Sequence, residues 1–129
     1  GITEVKMGRG SPWAVPLLWM LPQPVVMELV LTGETLPIER LAEYGFVNYL
    51  EETPDAVRAR ALQLARKIVE GAPLSVRAAK ASVLAAMDLG CEKGLVEANR
   101  LHVEAYASLD AIEGPRAFAE KRKPVWQGK

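Results

Sequence analysis

The groups in this chain able to do acid–base or ionic chemistry stand out at its two ends. Near the start, Glu4 lies in Gly1-Ile2-Thr3-Glu4-Val5, with Gly8 after it. A carboxyl group held beside a reacting atom can take or give a proton, although on its own a strand-end glutamate is most simply a solvated charge. At the far end, residues 116–129 hold five basic residues (Arg116, Lys121, Arg122, Lys123 and Lys129) against one acid, Glu120. Such a cluster could meet a phosphate; a solvated tail is the plainer reading. His102 is the only histidine, which gives little support to a histidine metal cluster or a Ser-His-Asp arrangement. It reads as a packed or interface residue. Cys91 has no nearby histidine and reads as a small apolar group, and Lys80 as a solvated lysine.

These groups must be positioned by helices. An apolar run over 25–31 stops at Thr32-Gly33, a helix stop signal. Ile38, Leu41 and Ala42 share the face of a second, short helix that Gly45 closes. Phe46-Val47-Asn48-Tyr49 is rich in strand-forming side chains and predicts a brief β segment. Ser11-Pro12 is a helix start, followed by a bulky apolar surface of Trp13, Leu17, Trp19, Met20 and Leu21. Thr53-Pro54-Asp55 is another start, and Val57, Ala61, Leu64, Ala65 and Ile68 recur behind it at helical spacing until Gly71 and Pro73. An alanine-rich helix over about 75–89 has small side chains that would let another helix approach closely. Gly90 separates it from a helix over about 92–109, whose apolar face carries Leu95, Ala98, Leu101, His102 and Ala105. Asp110 and Glu113 have the spacing of a capping box. Phe118 is expected to pack, and Trp126 to anchor the tail by burial.

Composition narrows the class. The chain has 129 residues, half of them hydrophobic, and a formal net charge of zero. That is enough for one domain with a modest core, and it lacks the basic excess of a nucleic-acid binder. One cysteine leaves no internal disulfide and fits a reducing compartment. No signal peptide is visible, and the apolar stretch over 13–21 is far short of a membrane span. The expectation is a soluble, cytoplasmic, mostly α protein with no membrane or nucleic-acid partner.

Three ordered stretches carry a family resemblance. Glu28-Leu29-Val30-Leu31-Thr32-Gly33-Glu34, followed by Leu41-Ala42-Glu43-Tyr44-Gly45-Phe46-Val47-Asn48, resembles the L-T-G-[ED]…A…G-[LF]-V-N segment of the enoyl-CoA hydratase/isomerase (crotonase) superfamily. Gly1 to Val5 with Gly8 resembles its F-G-x-P-E-[VI]…G strand and turn. Asp110, Glu113-Gly114, Ala117-Phe118, Glu120-Lys121-Arg122, Pro124 and Trp126 resemble D-x-x-E-G…A-F-x-E-K-R-x-P-x-[FW]. The resemblance covers nearly the whole chain.

It implies the C-terminal helical part of a crotonase-like α/β (ββα superhelix) fold with a short β remnant. Residues 1–52 would end the catalytic core, and 53–129 would form a C-terminal helical trimerisation region. It implies an acyl-CoA thioester substrate, coenzyme A being part of the substrate and no further cofactor or metal being needed, and a trimer or dimer of trimers. Glu4 matches the second of the two catalytic glutamates that deliver water to Cβ and a proton to Cα. A Δ3,Δ2-enoyl-CoA isomerase, with one shuttling glutamate, is also compatible. Phe118 and Lys121 match residues near the CoA adenine and phosphates of an adjacent subunit's site. The stretch containing Trp13 and Leu17 matches the acyl-pocket segment, and two tryptophans there imply a wide or flat acyl group, with core or subunit packing as the alternative. That stretch departs from the family's P-G-x-G-G-[ST]-x-R-L-P-R, keeping only Leu21-Pro22. The first glutamate and the oxyanion amides would lie upstream, and no G-G-G-x-[ED] segment is present. The expectation is therefore part of a longer chain, inactive alone. The competing reading is a non-catalytic crotonase-like helical assembly module.

Overall fold

The computed structural model describes residues 1–129 and contains helices, turns and bends but no strand. Two 3₁₀ helices, Thr3–Met7 and Pro12–Trp19, open the chain. They are followed by α1 (Gln23–Thr32), α2 (Ile38–Glu43), α3 (Pro54–Val69), α4 (Pro73–Tyr106) and α5 (Leu109–Ala119). The chain divides into two compact units, Gly1–Val57 and Arg58–Lys129.

In the first unit, α1 packs against both 3₁₀ helices. Ile2, Ala14, Leu21, Val25, Val26 and Leu29 form the buried core, with Leu17, Val30, Leu36 and Leu41 against it. The stop at Gly33 forms as its sequence requires: φ is +64°, and the Gly33 amide donates to the Leu29 carbonyl. Pro12 opens the second 3₁₀ helix, and Pro16 lies inside it. A proline inside an α-helix removes a hydrogen bond and clashes one turn back, so a tighter helix forms where an α-helix was expected. Ser11 makes no side-chain cap there.

Two β expectations give way to turns. Residues 1–5, expected to lie in a strand and turn, run instead into a 3₁₀ helix, Thr3–Met7, closed by Gly8. Phe46-Val47-Asn48-Tyr49 forms no strand. The Gly45 amide donates to the Ala42 carbonyl and the Phe46 amide to the Leu41 carbonyl, a Schellman closure of α2. Phe46 is thus committed to ending a helix, and no neighbouring strand is there to pair with the rest.

In the second unit, α4 bends at Gly90 (φ +76°, ψ +176°). The two arms meet closely: a Cβ placed on Gly94 would stand 2.7 Å from the Ala86 Cα. Small side chains do permit a close helix approach, and the approaching helix is the other arm of α4. Leu74, Ala78, Ala105 and Ala117 are buried in this unit. The capping box at Asp110 does not form. Ser108 caps α5, its Oγ accepting from the Ala111 amide at 3.1 Å. Asp110, only 3% exposed, instead accepts the Gln127 and Gly128 amides at 2.7 and 2.9 Å.

Candidate active site

Glu4 is half-buried in the first 3₁₀ helix. Its carbonyl accepts the Arg9 amide at 2.9 Å, which makes the residues around Gly8 a closed turn. The Thr32-Gly33-Glu34 corner after α1 holds that turn from behind. Thr32 Oγ1 donates to the Glu28 carbonyl at 2.6 Å and accepts the Glu34 amide at 3.1 Å. A Cβ on Gly33 would come within 3.0 Å of the Val5 Cγ1 and Lys6 Cγ atoms. Lys6 Nζ meets Glu34 Oε1 at 2.7 Å. The corner and the Glu4 turn therefore touch through a bare backbone and one ion pair.

Beside the turn lies an apolar groove of about 370 Å³, lined by Val5, Arg9, Gly10, Ser11, Ala14, Val15, Leu18, Gln23, Val26, Met27 and Val30. Its size and apolar walls with a few polar groups are those of a small-ligand site. Neither Trp13 nor Leu17 lines it. Trp13 is 58% exposed, and Leu17 packs on the core instead. The lining residues were missed because the apolar run Trp13 to Leu21 was read as one surface; the spacing of Val26, Met27 and Val30 along α1 was the signal available. Behind the groove, Arg40 grips Glu28 in a bidentate pair at 2.9 and 2.7 Å, and this bond holds the Glu28 carboxyl below its ordinary value.

In the second unit, the basic tail is only partly free. Arg122 is bound to Glu113 at 2.6 and 2.9 Å and to Glu120 at 2.6 Å. Glu113 also accepts the Val125 amide at 2.8 Å. The Arg122 bond first, and that amide second, lower the Glu113 carboxyl to about 2. Trp126 Nε1 donates to the Glu70 carbonyl at 2.7 Å, and Trp126 is half-buried against Gly114, so it does anchor the tail. Lys121 projects from the turn that ends α5, and Phe118 does not pack: it is 88% exposed.

His102 Nδ1 lies 2.8 Å from the Ala98 carbonyl, an acceptor, so that nitrogen carries the proton. Ser82 Oγ donates to the Ala78 carbonyl. Neither group is poised as a base–nucleophile pair. No group of three or more His, Cys, Asp or Glu side chains is placed to hold a metal ion, and no helix is long and apolar enough to cross a membrane.

The chain is a member of the enoyl-CoA hydratase/isomerase family, whose model matches residues 1–129. Among curated relatives, it is 36% identical to carnitinyl-CoA dehydratase of Citrobacter koseri, covering 99% of this chain and 51% of that protein. It is also 36% identical to (E)-benzylidenesuccinyl-CoA hydratase of Thauera aromatica, covering 99% and 50%. Its fold matches the crystal structure of enoyl-CoA hydratase from Mycobacterium tuberculosis H37Rv with a TM-score of 0.92 at 39% identity, covering 100% of this chain and 52% of that one. The chain spans about half the length of the curated relatives it matches.

Proposed function

We propose that this chain contributes the Glu4 turn and acyl groove to an enzyme that adds water to, or removes it from, a 2-enoyl-CoA thioester. The observation that carries the reading is the half-buried Glu4 on a locked turn next to an apolar groove, at the position where the family places a catalytic glutamate. Relatives named as a dehydratase and a hydratase of CoA thioesters support it.

Hydration needs a proton delivered to Cα as water attacks Cβ, and a carboxyl group can serve as that acid or base. Charge developing on the thioester carbonyl needs hydrogen-bond donors aimed at the oxygen, which the family resemblance assigns to backbone amides outside this stretch. The reaction needs no cofactor beyond the coenzyme A of its substrate. By the family resemblance, Lys121 and Phe118, both exposed, meet the phosphates and adenine of the coenzyme A held in an adjacent subunit's site. An isomerase reaction, with Glu4 shuttling a proton between two carbons, is the second chemistry this carboxylate allows.

The assembly is a homo-oligomer, a trimer or dimer of trimers, located in the cytoplasm. One observation also favours a purely assembling role: large side chains such as Val103, Tyr106 and Val96 are 62, 72 and 69% exposed. Turnover separates the two readings. Hydration of crotonyl-CoA by the full-length protein supports the enzyme, and its absence in a well-folded oligomer supports the module.

A further inference from the structure

The first unit holds three basic side chains, Lys6, Arg9 and Arg40, among eight acids: Glu4, Glu28, Glu34, Glu39, Glu43, Glu51, Glu52 and Asp55. Lys6 is paired with Glu34 and Arg40 with Glu28. Arg9 makes no ion pair, in a unit where carboxylates outnumber cations. It is also the one cation lining the apolar groove, with Ser11 and Gln23 as the other side chains there able to hydrogen-bond. Its amide is bonded to the Glu4 carbonyl at 2.9 Å, so its place relative to the Glu4 turn is set by the backbone.

Arg9 is exposed, so its guanidinium stays hydrated beside the groove and offers a purely hydrocarbon ligand nothing. A carboxylate can use it, because a guanidinium binds that group through two parallel, charge-assisted hydrogen bonds. We infer that Arg9 makes this groove the binding site for an acyl group bearing a second carboxylate, its carbon skeleton lying on Val15, Leu18, Met27 and Val30. The assignment rests on the reading of the Glu4 turn and groove as the acyl-thioester site, and it adds the class of acyl group.

The test compares two saturated thioesters of equal chain length, hexanoyl-CoA and adipyl-CoA, which bind without turnover. Calorimetry on the full-length protein should show adipyl-CoA binding roughly tenfold or more tightly, the factor expected of a charged hydrogen bond. Arg9→Met, which keeps the stem and removes the charge, should erase that preference and leave hexanoyl-CoA affinity within about twofold. Arg9→Lys should restore part of it. Equal affinities in the wild type would overturn the inference. So would Arg9→Met weakening both ligands alike, since the guanidinium would then be meeting the CoA phosphates. Crotonyl-CoA hydration measured on the same samples separates the two layers: turnover without an adipyl preference sinks the Arg9 assignment alone. Failure to bind either thioester sinks the acyl-thioester reading and the inference with it.

Discussion

Lys121 is the one non-glycine residue with a positive φ, +53°. Its amide donates to the Phe118 carbonyl and the next amide, Arg122, to the Ala117 carbonyl. This is the Schellman closure that Gly45 makes for α2, with lysine in the position where glycine is usual. A side chain there costs about 1–2 kcal/mol, and strain kept at one residue points to a use for that side chain. Lys121→Gly should therefore raise stability by about 0.5–1 kcal/mol in thermal or urea unfolding while weakening CoA-ester binding by roughly three- to tenfold, a change in affinity more than in turnover. Unchanged CoA-ester affinity would leave Lys121 as a solvated tail residue. Glu113 makes a second prediction at this scale. Its carboxyl is lowered to about 2 from an ordinary 4.5, so the folded state favours its ionised form. The stability it lends is present above pH 4.5 and is lost as pH falls toward 2. Glu113→Gln should lower stability at neutral pH, where the contribution is fully present, and flatten the pH dependence of unfolding between pH 4.5 and 2; an unaltered acid profile would contradict the pairing with Arg122. The spacing of Asp110 and Glu113 was legible in the sequence but its purpose was not, because both acids bind backbone and side chains that arrive from the tail, residues 122–128.

At the scale of elements, the stops and starts written in glycine, proline and threonine were readable, since each acts through its own backbone. Gly33 ends α1, Gly90 bends α4, and Thr53 Oγ1 accepts the Ala56 amide at the head of α3. The strands expected at 1–5 and 46–49 were not, because residue type alone cannot supply a pairing partner. The groove was missed for a related reason: the second 3₁₀ helix changes which of its apolar residues face α1. The Thr32-Gly33-Glu34 corner is the element on which the site most depends. Gly33→Ala adds left-handed strain and a methyl group against Val5 and Lys6, so it should cost about 1–2 kcal/mol. It should also lower kcat more than it changes acyl-CoA affinity, because the Glu4 turn must shift. Gly33→Ala combined with Val5→Ala should recover part of kcat, and no recovery would mean the corner does not act through that contact. Gly94→Val should destabilise by about 1–3 kcal/mol through overpacking on Ala86, with no direct effect on acyl selectivity.

At the scale of the whole molecule, a chain of this composition leaves wide apolar surface outside both units, Trp19, Tyr106 and Phe118 among it. Scattered apolar side chains are normal on a surface, but this many large ones call for partners, and symmetric self-association is the common solution. Light scattering on the full-length protein should give a trimer or hexamer, and a stable monomer would contradict the proposed assembly. The match of residues 1–129 to one family was legible from three short blocks because those blocks carry the turn, the corner and the tail that fix backbone geometry. The acyl group was not, since the segment that differs most from the family pattern is the one that builds the groove. The most direct test of the account is crotonyl-CoA hydration by full-length wild type and Glu4→Gln, with hexanoyl-CoA affinity measured alongside. The account predicts turnover in the wild type, a loss of roughly 100-fold or more in the variant, and affinity within about twofold. Wild-type turnover in Glu4→Gln would contradict it.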